Sequence, residues 1–98
     1  MNSYHFIFEV EPQLENPLIA HVSRAAVHIW VLSTDIQEAR DTAIRFLSSD
    51  RWEVTEEKDA YLATQEQVDG LGADESSSYQ TAQSEGIHAT FYYWHRSE

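Results

Sequence analysis

The chain has 98 residues, about the size of one domain, and we interpret residues 1–98 as a single α+β domain. With 17 Asp and Glu against 6 Lys and Arg, its formal net charge is −11, which opposes direct binding to the phosphate backbone of nucleic acids. The lack of cysteine excludes disulfides and thiolate chemistry, and no segment is apolar enough for a signal peptide or a membrane span. We therefore expect a cytoplasmic protein that binds neither nucleic acid nor membranes.

Two strand patterns, separated by a loop, come first. Residues 4–10 alternate between two sides in β-favouring residue types and predict a strand. The segment 11–24 holds both prolines and predicts a long loop. Residues 26–32 are almost continuously apolar, β-branched and aromatic, a pattern typical of a central strand that is covered on both faces.

A helix and a third strand follow. Thr34 and Gln37 have the spacing of a capping box, so we predict a helix that begins here and runs to about residue 48. Its apolar residues recur at helical spacing and form one stripe, which includes Ile36, Ala39, Ala43 and Leu47. Residues 51–56 alternate again and predict a strand, with residues 60–63 as a candidate extension of it. Strand, helix and strand together predict a right-handed βαβ crossover with its two strands parallel in one sheet.

The remainder of the chain predicts two helices and a last strand. Thr64 and Gln67 form a second capping-box pattern, which indicates a short helix. Residues 74–85 predict a polar helix with Gly86 as its C-cap, and residues 87–94 predict a strong strand. The order β-β-α-β-α-β predicts a two-layer sandwich, with a mixed four-stranded sheet and two main helices on one face. This architecture resembles the ferredoxin-like fold, a likeness that implies no function.

Helices on one face would leave the other face of the sheet rich in histidine and aromatic residues. We take this surface as the candidate interaction face, consisting of His5, His28, Trp30, His88, Tyr92 and Trp94. The 11–24 loop or a second copy of the chain could cover it, since Trp and Tyr are enriched in interfaces. It could instead form a small-molecule pocket, or a metal site with three imidazoles, although no HxH or HExxH pattern supports a metal.

Acidic residues dominate the segment 53–85, where Lys58 is the single base. Such a surface could attract a basic partner, because complementary potentials steer association. The candidate acidic surface consists of Glu56, Glu57, Asp59, Asp74 and Glu75.

No motif points to catalysis. The serines at 76–78 lack the GxSxG pattern of a nucleophile elbow, and no glycine-rich phosphate-binding loop occurs. We assign no catalytic, cofactor or metal residue and predict no cofactor. The favoured hypothesis is a non-enzymatic protein-interaction or self-association module that forms a homodimer or binds a protein partner. The alternatives are an acidic inhibitor or immunity-type protein and a small-ligand or metal-dependent enzyme.

Overall fold

The computed structural model describes residues 1–96, which form one four-stranded sheet and three helices. Each predicted element is present, and the third strand runs without a break from Trp52 to Leu62, so it includes most of the candidate extension at 60–63. The elements in chain order are β1 (Asn2–Pro12), β2 (Val22–Ser33), α1 (Ile36–Ser49), β3 (Trp52–Leu62), α2 (Gln65–Asp69), α3 (Ala73–Glu85) and β4 (Ile87–His95).

The strand order is β3-β1-β2-β4, and every neighbouring pair is antiparallel. β1 and β2 pair with Phe6 opposite Ile29, and β3 then pairs with the other edge of β1. β2 and β3 run in the same direction, as the crossover predicts, but β1 lies between them. The predicted mixed sheet is therefore wrong, because the crossover through α1 passes over β1 and no parallel strands become neighbours.

The two longer helices pack on opposite faces of the sheet, and the prediction of both helices on one face is also wrong. α1 buries Ala43 and Leu47 against the face that contains Phe6; we call this the α1 face. α3 packs on the other face, the α3 face, where the Tyr79 ring meets Trp30 edge-on at a centroid distance of 5.2 Å. β1 and β2 carry large apolar or aromatic residues on both faces, so each face needs a cover. Strand order and helix placement together differ from the ferredoxin-like fold.

The α1 face holds the main core. Phe6, Phe8, Ile29 and Leu47 are fully buried there. Towards the end of the sheet where β3 begins, Trp52 reaches across to Phe91 of β4, with the ring centroids 5.4 Å apart. The Trp52 indole thus connects the two edge strands, β3 and β4. On the central strands between them, Val10 and Ala25 are both buried.

The helix ends show why these segments start and stop where they do. Asp35, not Thr34, caps α1, and its Oδ1 accepts from the backbone N–H of Glu38 at 2.8 Å. The capping box of Thr64 with Gln67 is present as predicted. The C-cap of α3 is confirmed at Gly86, whose φ of 89° lies in the left-handed region that glycine adopts without strain.

The loop between β1 and β2 is shorter than predicted and spans 13–21, because β1 continues through Pro12. Asn16 is 3% exposed and anchors it. Its Nδ2 donates to the Arg51 carbonyl oxygen at 2.9 Å, and its Oδ1 accepts from the Leu18 N–H at 2.9 Å. The loop is therefore tied to the turn between α1 and β3, away from α3. No helix within residues 1–96 is long and apolar enough to cross a bilayer.

Candidate functional site

Four aromatic side chains cross the α3 face in a line, one from each strand. Tyr61 of β3 lies 5.2 Å from His5 of β1, His5 lies 5.4 Å from His28 of β2, and His28 lies 5.4 Å from Tyr92 of β4, all between ring centroids. We call these four residues the aromatic row. The period-two alternation of each strand places the rings on this face, and the antiparallel register aligns them.

Trp30 adds a fifth ring beside the row. It pairs with His5 in the register of β1 and β2, and the two rings are 4.4 Å apart. Trp30 is 4% exposed because Tyr79 of α3 lies over it. Sequence reasoning missed Tyr61 and Tyr79. The apolar pattern of Ala60, Tyr61 and Leu62 was the available signal for the first, since it continues the third strand.

The candidate interaction face is therefore covered in part by α3. His5 and Trp30 are buried, and His28 and His88 are half-buried. Tyr92 and Trp94 remain 55% and 45% exposed. The accessible aromatic surface lies mainly at the C-terminal half of β4.

A cavity of about 210 Å³ lies between the aromatic row and the first turns of α3. The row and Trp30 line the sheet side, and Ser78 and Thr90, whose hydroxyls are 3.3 Å apart, line another side. The remaining lining residues are Ile7, Leu71, Asp74 and Glu75.

His5 is the most perturbed titratable group of the site. It is 6% exposed, and its buried Nδ1 has no hydrogen-bond partner among residues 1–96. Burial lowers the pKa of His5 from 6.5 to about 4, the neighbouring His28 lowers it further, and Asp59 opposes the shift. The ring is therefore neutral near pH 7.

Carboxylates surround the β3 end of the row. Burial raises the pKa of Tyr61, and the negative charges of Asp59 and Glu75 raise it further. Asp59 approaches from β3, and Glu75 approaches from the first turn of α3. The cavity thus combines aromatic walls with negative charge near one end.

The candidate acidic surface is divided between two places. Glu57 pairs with Arg40 at 2.6 Å, and Glu56 pairs with Lys58. Asp59 accepts the backbone N–H of Ala60 at 2.9 Å. These acids belong to β3, whereas Asp74 and Glu75 lie at the cavity.

Beyond the cavity, a row of charged side chains crosses the same face. Trp94 lies 4.9 Å from the Arg24 guanidinium, and Arg24 pairs with Glu9 at 3.2 Å. Glu9 also pairs with Lys58 at 3.6 Å. These contacts are exposed, so each contributes little to stability, but together they occupy the open part of the α3 face.

The structure brings His5 and His28 together but does not place His88 at the cavity. Among residues 1–96, no group of three His, Asp or Glu side chains is arranged to hold a metal ion. The trio of imidazoles considered as a metal site is therefore not assembled in the described part of the chain.

The two edges of the sheet differ. The Leu32 N–H donates to the Gly86 carbonyl oxygen at 2.9 Å. Hydrogen-bonded pairs alternate along antiparallel strands, so the even-numbered residues of β4 bond to β2. The odd-numbered residues direct their backbone N–H and C=O groups outward, where the described residues supply no further strand: Ile87, Ala89, Phe91 and Tyr93.

No family model, curated protein or solved structure matches this chain.

Proposed function

We propose that this protein is a non-enzymatic self-association module, in which β4 pairs with β4 of a second copy to form a continuous antiparallel sheet. The observation that carries this proposal is the unprotected outer edge of β4. An edge strand presents a row of backbone donors and acceptors that another strand can bind.

The opposite edge of the sheet supports the assignment by contrast. β3 carries Glu53, Glu56, Glu57, Lys58 and Asp59, and its pairing with β1 has two register shifts. Charged side chains and bulges are the usual means of preventing edge-to-edge association. β4 has no Asp, Glu, Lys, Arg or Pro between Ile87 and His95, and its pairing with β2 is regular from Arg24 onwards.

Charge also favours a second copy at β4. A net charge of −11 makes two copies repel each other over most of their surface. The strand β4 carries no acid, and Arg24 and Arg96 lie near its C-terminal end. Two copies that meet at β4 therefore bring together the least acidic part of each molecule.

A two-fold axis at Phe91 gives the longest overlap, because Phe91 is the middle residue of β4. Ala89 then faces the partner's Tyr93, so a small side chain meets a large one on the α1 face. The outward backbone groups of both copies become the hydrogen-bonded pairs of the new ladder. The exposed Tyr92 and Tyr93 lose water contact on opposite faces.

Two alanine-to-proline variants test the edge. Ala89→Pro removes an outward N–H of β4. Ala60→Pro is its matched control, because Ala60 is also half-buried on the α1 face and its N–H is turned away from β1. Proline is tolerated in edge strands where the N–H faces outward. Light scattering on a sizing column gives the mass of each variant, and circular dichroism verifies that it is folded.

We expect the wild type and Ala60→Pro to be dimers and Ala89→Pro to be a folded monomer. A monomeric wild type at high micromolar concentration overturns the proposal. A folded Ala89→Pro variant that dimerises as well as the wild type overturns the β4 geometry. If Ala89→Pro does not fold, Tyr93→Asp replaces it, with Leu62→Asp on the opposite edge strand β3 as the control, since Leu62 is similarly exposed.

The salt dependence of association distinguishes the acidic-inhibitor alternative from self-association through β4. Association through β4 should persist or strengthen at high salt, because salt screens the repulsion between two acidic copies. Capture of a basic partner by exposed acids such as Asp59 and Asp74 should weaken steeply as salt rises. The same sizing experiment at two salt concentrations, repeated with a basic protein present, separates the two.

A further inference from the structure

The cavity under α3 has the features of a ligand site that is separate from the β4 edge. It lies on the α3 face between the aromatic row and the start of α3, and its volume of about 210 Å³ is below that of pockets for drug-sized molecules. The space suits a small metabolite of about ten non-hydrogen atoms.

The charge around this cavity selects for a cation. Asp74 and Glu75 line it, and Asp59 lies close enough to Tyr61 to influence its hydroxyl. No Lys or Arg is among the described residues that line it. An anionic ligand would meet uncompensated negative charge, whereas an ammonium group would be attracted.

The aromatic walls favour the same class of ligand. Trp30, Tyr61 and Tyr92 all line the cavity. The faces of such rings carry negative electrostatic potential and attract organic cations, and their area also shields an apolar ligand body from water.

His5 supplies an independent observation. His5 as a residue is 6% exposed, and its Nδ1 has no hydrogen-bond partner among the residues that the structure describes. A buried polar atom without a partner is costly, and a ligand donor removes that cost where the side chains that enclose Nδ1 move aside to admit it. In the Nε2–H tautomer, Nδ1 accepts a hydrogen bond, and a primary ammonium has three N–H donors.

We propose that the cavity between the aromatic row and α3 binds a small primary organic ammonium, with its charge towards Asp74 and Glu75 and its apolar body against Trp30 and Tyr92. This site does not depend on self-association through β4, because all the residues that line the cavity come from one copy of the chain.

Phenethylamine and 2-phenylethanol are suitable probes because they match in size and differ in charge. Calorimetry should show the amine binding in the millimolar range or tighter, and at least about tenfold tighter than the alcohol. The double variant Asp74→Asn/Glu75→Gln should weaken the amine about tenfold and leave the alcohol unchanged. The control Asp41→Asn/Glu85→Gln removes the same charge elsewhere, on α1 and at the far end of α3, and should bind as the wild type does.

NMR locates the site through the tryptophans. The amine should shift the indole N–H resonance of Trp30, which lines the cavity, and not that of Trp52, which lies on the α1 face. Equal affinity for amine and alcohol overturns the charge assignment. Equal weakening in both double variants means that the amine responds only to net charge, and an unshifted Trp30 resonance means that it binds elsewhere. Either outcome overturns the site.

Discussion

The neutral, buried ring of His5 should make the stability of this protein depend on pH in a defined window. Burial holds the pKa of His5 at about 4 in the folded chain, compared with 6.5 for an ordinary histidine. Between these values the unfolded chain binds a proton at this position and the folded chain does not. Stability is therefore highest above about pH 6.5 and falls as the pH decreases towards 4.

The two pKa values set the size of the effect. From about pH 7.5 to about pH 5, they correspond to a loss of about 2 kcal/mol in the free energy of unfolding. The ring borders the cavity, where water screens charge, so we expect a loss of about 1–2 kcal/mol. His28 on β2 lowers the pKa of His5 and Asp59 on β3 raises it, while Tyr61 on β3 and Asp74 and Glu75 on α3 line the same cavity.

The variant His5→Phe isolates this contribution, because it keeps an aromatic ring between Trp30 and Tyr61 but removes the titration. Urea unfolding of both proteins at the two pH values gives the difference between their free energies of unfolding. Effects of the other titratable groups largely cancel in that difference. We expect the wild type to lose about 1–2 kcal/mol relative to the variant on acidification.

NMR titration measures the pKa of His5 independently, and the ring should remain neutral until close to pH 4. Parallel stability curves for wild type and His5→Phe, within about 0.5 kcal/mol, would refute the reasoning. Such a result would mean that the protonated His5 ring is stabilised in the folded protein, either by a hydrogen-bond acceptor or by water.

Two further predictions concern the packing. Trp52→Ala should lower the free energy of unfolding by about 3–5 kcal/mol in urea titrations, because Trp52 is 3% exposed and contacts Phe91 across the sheet. A loss below about 1 kcal/mol would show that this indole is not a core residue. Asn16→Ala should cost about 1–3 kcal/mol by leaving the Arg51 carbonyl oxygen without its side-chain donor, whereas the exposed control Asn2→Ala should change stability by less than about 0.5 kcal/mol. Equal effects of the two asparagine variants would contradict the role of Asn16 in anchoring the loop at 13–21.

Local signals in the sequence account for the elements of this fold. The alternation of residues 4–10 and 87–94 predicts two strands that the structure contains, and the capping box at Thr64 and the C-cap at Gly86 are present. Each of these signals depends on neighbours within a few residues. The error at Thr34 is equally local, since Asp35 offers a competing acceptor one residue later.

The candidate site was only partly predictable for the same reason. Strand alternation places His5, His28 and Tyr92 on one face, and the structure agrees. The cavity also requires α3 to lie over that face and Tyr61 to arrive from β3. The first condition does not follow from residue periodicity, because α3 has few apolar residues to show which side of the sheet it covers, whereas the apolar run at 60–62 was a signal for the second.

The sequence by itself determined the types of the elements, their order and the faces to which their side chains point, because backbone preferences and side-chain periods act over short distances. Only the tertiary structure decided the strand order β3-β1-β2-β4, the placement of α1 and α3 on opposite faces, and the cavity between the aromatic row and α3. β1 can pair on either edge, and both faces of β1 and β2 can be buried. The choice among these arrangements depends on packing between segments that are distant in the chain.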